Sequence, residues 1–382
     1  MERYKGFHTG RAIFFMMAVI TCMLCGAVLK IAASMVVPFL ISLFLALVLH
    51  PLLTIPKQFR IPRILSVFAA TAFIVGGLFF IGVAVFISGK NLVSLYLEPE
   101  YQKKLTNIYQ ILAKFFELTF DEDLSFLENL LSQLEIKTRI FMITLSFSNN
   151  FFLFARNALM VVFFMVFLLF EASFFSNKLE TAFEEKMADQ IKKIGSDIMS
   201  QISRYLSIKF IISVGNGLVV GGLLHLTGLE FALVWGILQF ILNFIPALGS
   251  IAIGFIVSVF ALVQFWPDPQ PIILVVIIML GVNIILGTIL EPKIMGDNLG
   301  LSPFVVILSL IVWGFLWGFI GMILAVPMTV IIKIICENVT VLEPVSIILG
   351  SRKAVLKKKQ EYETEKPETG NSVATQSQEL KF

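Results

Sequence analysis

The polar residues that interrupt the apolar C-terminal half of this chain are few, and their types and spacing set out the chemistry open to it. Asn243, Pro246, Gly249 and Ser250 break an otherwise apolar stretch from Phe231 to Phe265. Pro246 removes a backbone donor and Gly249 loosens the chain, so a helix should stop there and leave backbone groups without partners. Lipid cannot satisfy such groups, so a break at membrane depth must be buried in protein or line a polar cavity, the pattern expected of a solute-binding site in a transporter. The alternative is a tight turn outside the membrane between two short helices.

A second group follows. Pro292 closes the next apolar run after Glu291, because the residue before a proline is disfavoured in the helical region. Gly296, Asp297, Asn298 and Gly300 form a loop, and Ser302-Pro303 supplies an N-cap and first helical position. That helix start offers backbone donors and a positive dipole end. Glu291 fits either a coupling carboxylate or a loop anchor paired with Lys293. Asn216 and Asn283 have the groups to hold a polar solute, or equally to bond helix to helix. Arg156 and Glu171 are the charged residues of one apolar run; fifteen residues put them roughly 22 Å apart along a straight helix, too far to pair. Each either snorkels to its own interface or partners a gate or an interior charge.

Enzyme signatures are mostly missing. The three histidines, His8, His50 and His225, form no zinc-protease motif, and no Gly-x-Ser-x-Gly occurs. A phosphate loop ending at Gly89-Lys90 fails at Ala84 and Asn91. Cys22, Cys25 and Cys336 are an odd set, which argues against a disulfide framework, and Cys22-x-x-Cys25, inside an apolar run, reads as inert buried thiols rather than a redox pair. No cofactor or metal is called for.

The elements that must position these residues are membrane helices. Of 382 residues 58% are hydrophobic and 14% charged, with a mean hydropathy of +0.91, and no water-soluble fold could bury that surface. Runs from Ala12 to Leu29, Ile31 to Ile55, Ile64 to Gly89, Phe151 to Phe175, Leu206 to Leu226 and Ile272 to Leu290 each suffice to cross a bilayer. Net charge is +3 and the basic residues flank apolar runs, which excludes a nucleic-acid footprint and reports orientation instead. Arg3, Lys5, Arg11, Lys57, Arg60 and Arg63 place the N-terminus and the second loop in the cytoplasm, and Arg352, Lys353, Lys357, Lys358 and Lys359 place the C-terminus there. The crossings should then be even in number. Eight result from six long spans, two shorter ones between Phe231 and Phe265, and a re-entrant hairpin from Phe304 to Ile335 broken by Gly314, Gly318, Gly321 and Pro327.

This gives an all-α polytopic membrane domain over residues 1–350. Residues 90–150 are expected outside the cell membrane as a helical insertion, one helix carrying Leu105, Ile108, Leu112 and Phe115, a second Leu127, Leu130, Leu131 and Leu134. Residues 178–205 repeat apolar positions every three or four and read as a cytoplasmic amphipathic helix. Residues 351–382 are basic, then polar and disordered. Gly217-x-x-x-Gly221 and Gly314-x-x-x-Gly318 permit close helix approach within or between subunits.

Asn243-Phe-Ile-Pro-Ala-Leu-Gly-Ser250, Asn283-Ile-Ile-Leu-Gly-Thr-Ile-Leu-Glu-Pro-Lys-Ile-Met-Gly296, Leu299-Gly-Leu-Ser-Pro303 and Gly321-Met-Ile-Leu-Ala-Val-Pro327 together resemble the C-terminal half of the autoinducer-2 exporter family of permeases. The motif-level resemblance covers Leu206 to Glu337 and is architectural before that. It implies about eight helices, homo-oligomeric assembly in the cell (inner) membrane and no ATPase domain. It also implies secondary export of the quorum signal autoinducer-2, while related members are described as sodium/proton antiporters. The partners expected are therefore the bilayer and a small polar solute or monovalent cation. Asn243, Ser250 and Asn283 suit a polyol, and Glu291 suits an ion. A membrane scaffold or sensor remains as a third reading, although it has no use for broken helices at membrane depth.

Overall fold

Apolar runs in lipid must satisfy every backbone polar group within the segment, and the chain does so almost entirely as helix. The computed structural model describes residues 9–58, 63–96, 98–116, 137–171, 175–295, 300–339, 341–351 and 356. Among the described residues there is no strand, only an isolated bridge between Leu301 and Gly350. The helices are α1 (Thr9–Ile31), α2 (Ala33–Gln58), α3 (Arg63–Tyr96), α4 (Pro99–Phe116), α5 (Lys137–Glu171), α6 (Phe175–Ala182), α7 (Glu185–Leu226), α8 (Ala232–Leu242), α9 (Leu248–Phe265) and α10 (Pro269–Val282). α10 continues through a π-helix (Asn283–Leu290) into α11 (Glu291–Met295), and α12 (Pro303–Asn338) and α13 (Glu343–Leu349) follow.

Six of these helices are long and apolar enough to cross a membrane, or seven if α1 and α2, bent by 88° at their junction, count as one broken span. The expected figure was about eight. The difference lies partly in α8, whose 11 residues reach only about 16 Å, half of a hydrocarbon core. The expected amphipathic helix of residues 178–205 is also not a separate element. It breaks near Phe183, and from Glu185 it runs unbroken through 42 residues into the fifth apolar run, since no proline stops it.

α12 folds back on itself. Gly318 has φ 63° and ψ −141°, a backbone state that side chains exclude, and Trp313 Nε1 donates to Thr329 Oγ1 at 3.4 Å. Sixteen residues of straight helix would hold those groups roughly 24 Å apart. The glycines permit the turn: a Cβ at Gly321 would lie 1.9 Å from the Trp313 carbonyl oxygen, and one at Gly314 would lie 2.9 Å from Met322. The hairpin is pinned to α1 by Trp317 Nε1, which donates to the Leu29 carbonyl at 3.1 Å.

Four apolar clusters among the described residues hold the bundle, two of them joining the helices around the break. Val220, Leu224, Ile253, Val257, Val275 and Met279 join α7, α9 and α10, and Phe44, Ile202, Leu206, Val330 and Ile334 join α2, α7 and α12. α4 docks at the end of the bundle that carries the α7–α8 and α9–α10 connections, with Tyr101 OH donating to Glu230 Oε1 at 3.2 Å and Lys104 Nζ to the Gln264 carbonyl at 3.1 Å. The second helix expected in the insertion, Leu127 to Leu134, and nearly all of the tail lie outside the described residues. Cys25, expected to be a buried thiol, is instead exposed on α1, and Cys336 is buried on α12.

Candidate functional site

The site begins with the close packing of α7 on α8. Gly217 and Gly221 face Gly236 so tightly that a Cβ at Gly217 would sit 2.6 Å from the Gly236 carbonyl oxygen. The first of the two small-residue motifs therefore works within the chain. This approach brings the polar edge of α7, Ser213 and Asn216, against that of α8, Gln239 and Asn243. Both pairs sit at helical spacings that share a face.

α8 then ends at the break that the sequence predicts. Asn243, Phe244 and Ile245 donate their backbone N–H groups to the carbonyls of Gln239, Ile241 and Leu242, so the last turn closes on itself before Pro246 stops it. Ala247 takes a positive φ of 60°, and α9 starts one residue later. Gly249 lies under the end of α8: a Cβ there would be 1.8 Å from the Leu242 carbonyl oxygen, so no other residue fits.

Two sets of side-chain amide hydrogen bonds flank this break. Asn216 Nδ2 donates to Asn243 Oδ1 at 3.2 Å, and Asn243 Nδ2 donates to Ser213 Oγ at 2.9 Å. Gln239 Nε2 donates to Asn283 Oδ1 at 3.0 Å, and Asn283 Nδ2 to the Ser250 carbonyl at 3.3 Å. Counted from the end of the bundle that holds α4, Asn216 is ten residues into α7 and Asn283 fourteen residues beyond Pro269, depths of roughly 15 and 21 Å. Measured from those helix ends, the first depth is half and the second about two-thirds of a core about 30 Å thick.

Asn283 also opens the π-helix. The backbone N–H of Glu291 reaches back five residues to the Leu286 carbonyl. Such wide turns are rare and recur at functional sites. Here the turn presents Asn283, Gly287, Thr288 and Glu291 to a cavity of about 750 Å³ that Asn243, Pro246, Ser250 and Lys209 also line. At its far end Lys209 Nζ donates to Glu291 Oε1 at 2.5 Å, with the lysine side chain 2% and the glutamate 18% exposed. Glu291 thus pairs with Lys209 and not with its neighbour Lys293, which is exposed.

The family profile described as "AI-2E family transporter" matches residues 13–340. The chain belongs to the AI-2E transporter family. It is similar to the AI-2 transport protein TqsA of Escherichia coli, 32% identical over 360 residues that cover 89% of this chain and 96% of TqsA. It also resembles a candidate transport protein of Borreliella burgdorferi, 31% identical over 321 residues, 84% of this chain and 86% of that one. YhhT of Escherichia coli, likewise named as a candidate transport protein, is 31% identical over 365 residues, 92% and 97% of the two chains. This AI-2E chain is therefore a multi-pass membrane transporter, and its family is made up of transport proteins.

Of the residues singled out in this AI-2E sequence, Asn243, Pro246, Ser250, Asn283, Glu291 and Pro292 meet at one cavity. Asn216 stands behind Asn243 and Gly249 beneath the break. Ser302 and Pro303 are elsewhere: Ser302 N donates to the Leu349 carbonyl at 3.0 Å, and the Ser351 N–H donates to the Gly300 carbonyl at 2.7 Å, so α13 and the residues after it clasp that helix start. The Ser302 hydroxyl makes no cap bond. Arg156 is exposed on α5, and Glu171 pairs with Lys178 of α6. Sequence reasoning passed over Lys209, Gln239, Ser213 and Thr288. Lys209 carried a usable signal, a lone charge inside an apolar run.

Proposed function

We propose that this chain is a secondary exporter of a small polar solute, carried through the cavity between the α8–α9 break and the π-helix. The observation that supports this reading is the convergence of Asn243, Asn283, Ser250 and Thr288 on a space of about 750 Å³ at membrane depth, the size and character of a small-molecule site. Asn and Thr side chains offer donors and acceptors but no net charge, which suits a neutral hydroxylated solute. Autoinducer-2 is the first candidate, because the relative TqsA is named as a transport protein for it. The Lys209–Glu291 pair would close the end of the cavity remote from α4 and part to let the solute pass.

The basic residues flanking the first spans and the tail favour an inner-membrane topology with both termini in the cytoplasm, so the ion pair lies toward the cytoplasmic side. Ile251, Phe255, Leu280 and Ile284 form an open apolar rim to the cavity, each more than half exposed, and a second copy of the chain in a homo-oligomer would cover it.

One observation favours a second reading. A titratable carboxylate held by a single buried lysine is the equipment of a sodium/proton antiporter, in which a cation and the ammonium of Lys209 compete for Glu291. Efflux of labelled autoinducer-2 from cells with and without the protein tests the first reading, and equal efflux defeats it. Sodium-driven proton flux unchanged in Glu291→Gln defeats the second.

A further inference from the structure

Asn283 is tied at both ends of its side chain, and the two ties come from opposite sides of the helix break. Its Nδ2 donates to the Ser250 carbonyl on α9 at 3.3 Å, and its Oδ1 accepts from Gln239 Nε2 on α8 at 3.0 Å. The partners fix which end is which. A backbone carbonyl can only accept, so the Asn283 amino group must face Ser250 and its oxygen must face Gln239. Gln239 in turn can meet that oxygen only with its own amino group.

The two residues stand differently to the cavity. Asn283 is half-buried and lines it, whereas Gln239 has 0% exposure and sits behind the wall, one helical turn before Asn243 on α8. An Asn side chain has two N–H donors and an oxygen with two lone pairs. The two ties use one of each, which leaves one donor and one acceptor for a solute. The Ser250 bond is just beyond the usual range of about 2.7–3.2 Å, and an amide held by it alone can swing about that one point. The shorter bond from Gln239 supplies the second fixed point.

We infer that Gln239 is a positioning residue for solute recognition: from behind the cavity it fixes the Asn283 amide with its acceptor toward α8 and its donor toward α9. This rests on the export reading above and adds to it the element that sets the polarity of the site. A solute fits when its own donor points toward α8 and its acceptor toward α9, and the reverse arrangement meets like groups. Gln239 itself touches no solute. Its loss leaves the Asn283 contact present but unaligned, so solute binding weakens while the opening of the Lys209–Glu291 end is untouched.

Initial rates of autoinducer-2 flux into liposomes of purified full-length protein, measured over a range of concentrations, test this. Gln239→Met should raise the half-saturating concentration about three- to tenfold, the worth of one hydrogen bond, and leave the maximal rate within about twofold. In an Asn283→Leu background the same substitution should add nothing. Gln239→Glu gives a signature that packing alone does not. Its carboxyl group, when protonated, donates to Asn283 Oδ1 as the amide does, and when ionised has no donor and repels that oxygen. Flux relative to wild type at the same pH should therefore be near normal at low pH and fall at high pH, and this added pH dependence should vanish in the Asn283→Leu background. Titration of Lys209 and Glu291, which line the same cavity, is common to both proteins and cancels in the ratio. This second variant decides the matter if Gln239→Met does not fold. An unchanged half-saturating concentration, equal effects of Gln239→Met in both backgrounds, or a ratio for Gln239→Glu that is flat with pH or keeps its slope without Asn283 overturns the inference alone. Wild-type flux no greater than that of empty liposomes overturns the export reading, and the inference with it.

Discussion

Removing one member of the Lys209–Glu291 pair should expose how unequal the two partners are. Lys209 is 2% exposed and the Glu291 side chain 18%, with 2.5 Å between Nζ and Oε1. Glu291→Gln leaves an ammonium in the interior without its counter-charge, and breaking a buried pair in this way costs about 3–5 kcal/mol. Lys209→Met leaves a carboxylate at the edge of a cavity, where water or a proton relieves it, and should cost less, about 1–3 kcal/mol. Replacing both removes the charges together, which is often neutral or stabilising. The double variant should therefore be at least as stable as the better single one, with a coupling of about 2 kcal/mol or more. Denaturant titration of purified protein in mixed micelles, run as a double-mutant cycle, reads this directly. Single costs that simply add, to within about 0.5 kcal/mol, would show that the pair is not coupled and refute the reasoning.

Other consequences follow from the same geometry. Gly249→Ala drives a methyl group into the Leu242 carbonyl, 1.8 Å away, and should abolish folding or flux, whereas Gly222→Ala meets nothing within 4 Å and should leave both unchanged, as size-exclusion profiles and transport would report. Asn283→Leu removes a link between the break and the π-helix and should cut solute flux about tenfold or more while the protein stays monodisperse, since one lost hydrogen bond to a bound solute is worth about 1.5 kcal/mol. On α4, burial and then the Glu230 carboxylate raise the Tyr101 phenol above its ordinary range. The folded protein holds that proton more tightly than the unfolded chain. The resulting stability is thus complete below the unfolded pKa near 10 and lost as pH rises through the higher folded value. Unfolding titrations of wild type and Tyr101→Phe above about pH 10 should diverge in slope, with the variant losing the dependence.

The break at Pro246 was legible because proline, glycine and two polar side chains in an apolar run leave few conformations. The hairpin in α12 was legible for a similar reason, and Gly318 proved to be the turning point because its φ of 63° is open to glycine. Three features were not legible. The π-helix has no proline or capping signature, since Asn283–Leu290 is as apolar as a regular helix. Lys209 shows in sequence only as a lone charge in an apolar run, and its burial and its partner emerge only once α7 is seen to run on without interruption and carry it inward. Glu291 had a neighbour of opposite charge two residues away, and only the packing of α11 on α7 shows that its partner is Lys209 and not Lys293. Ser302 and Pro303 show the converse, since a well-formed helix start is recognisable in sequence wherever the fold then puts it.

The measurement that bears most directly on the solute pathway is flux in liposomes of purified protein, following autoinducer-2 and sodium-driven proton movement side by side in wild type, Asn283→Leu and Glu291→Gln. The predicted result is movement of the signal in wild type above empty liposomes, reduced about tenfold or more in Asn283→Leu. Signal flux equal to that of empty liposomes, together with sodium-driven proton movement that Glu291→Gln abolishes, would contradict it and make the chain an antiporter.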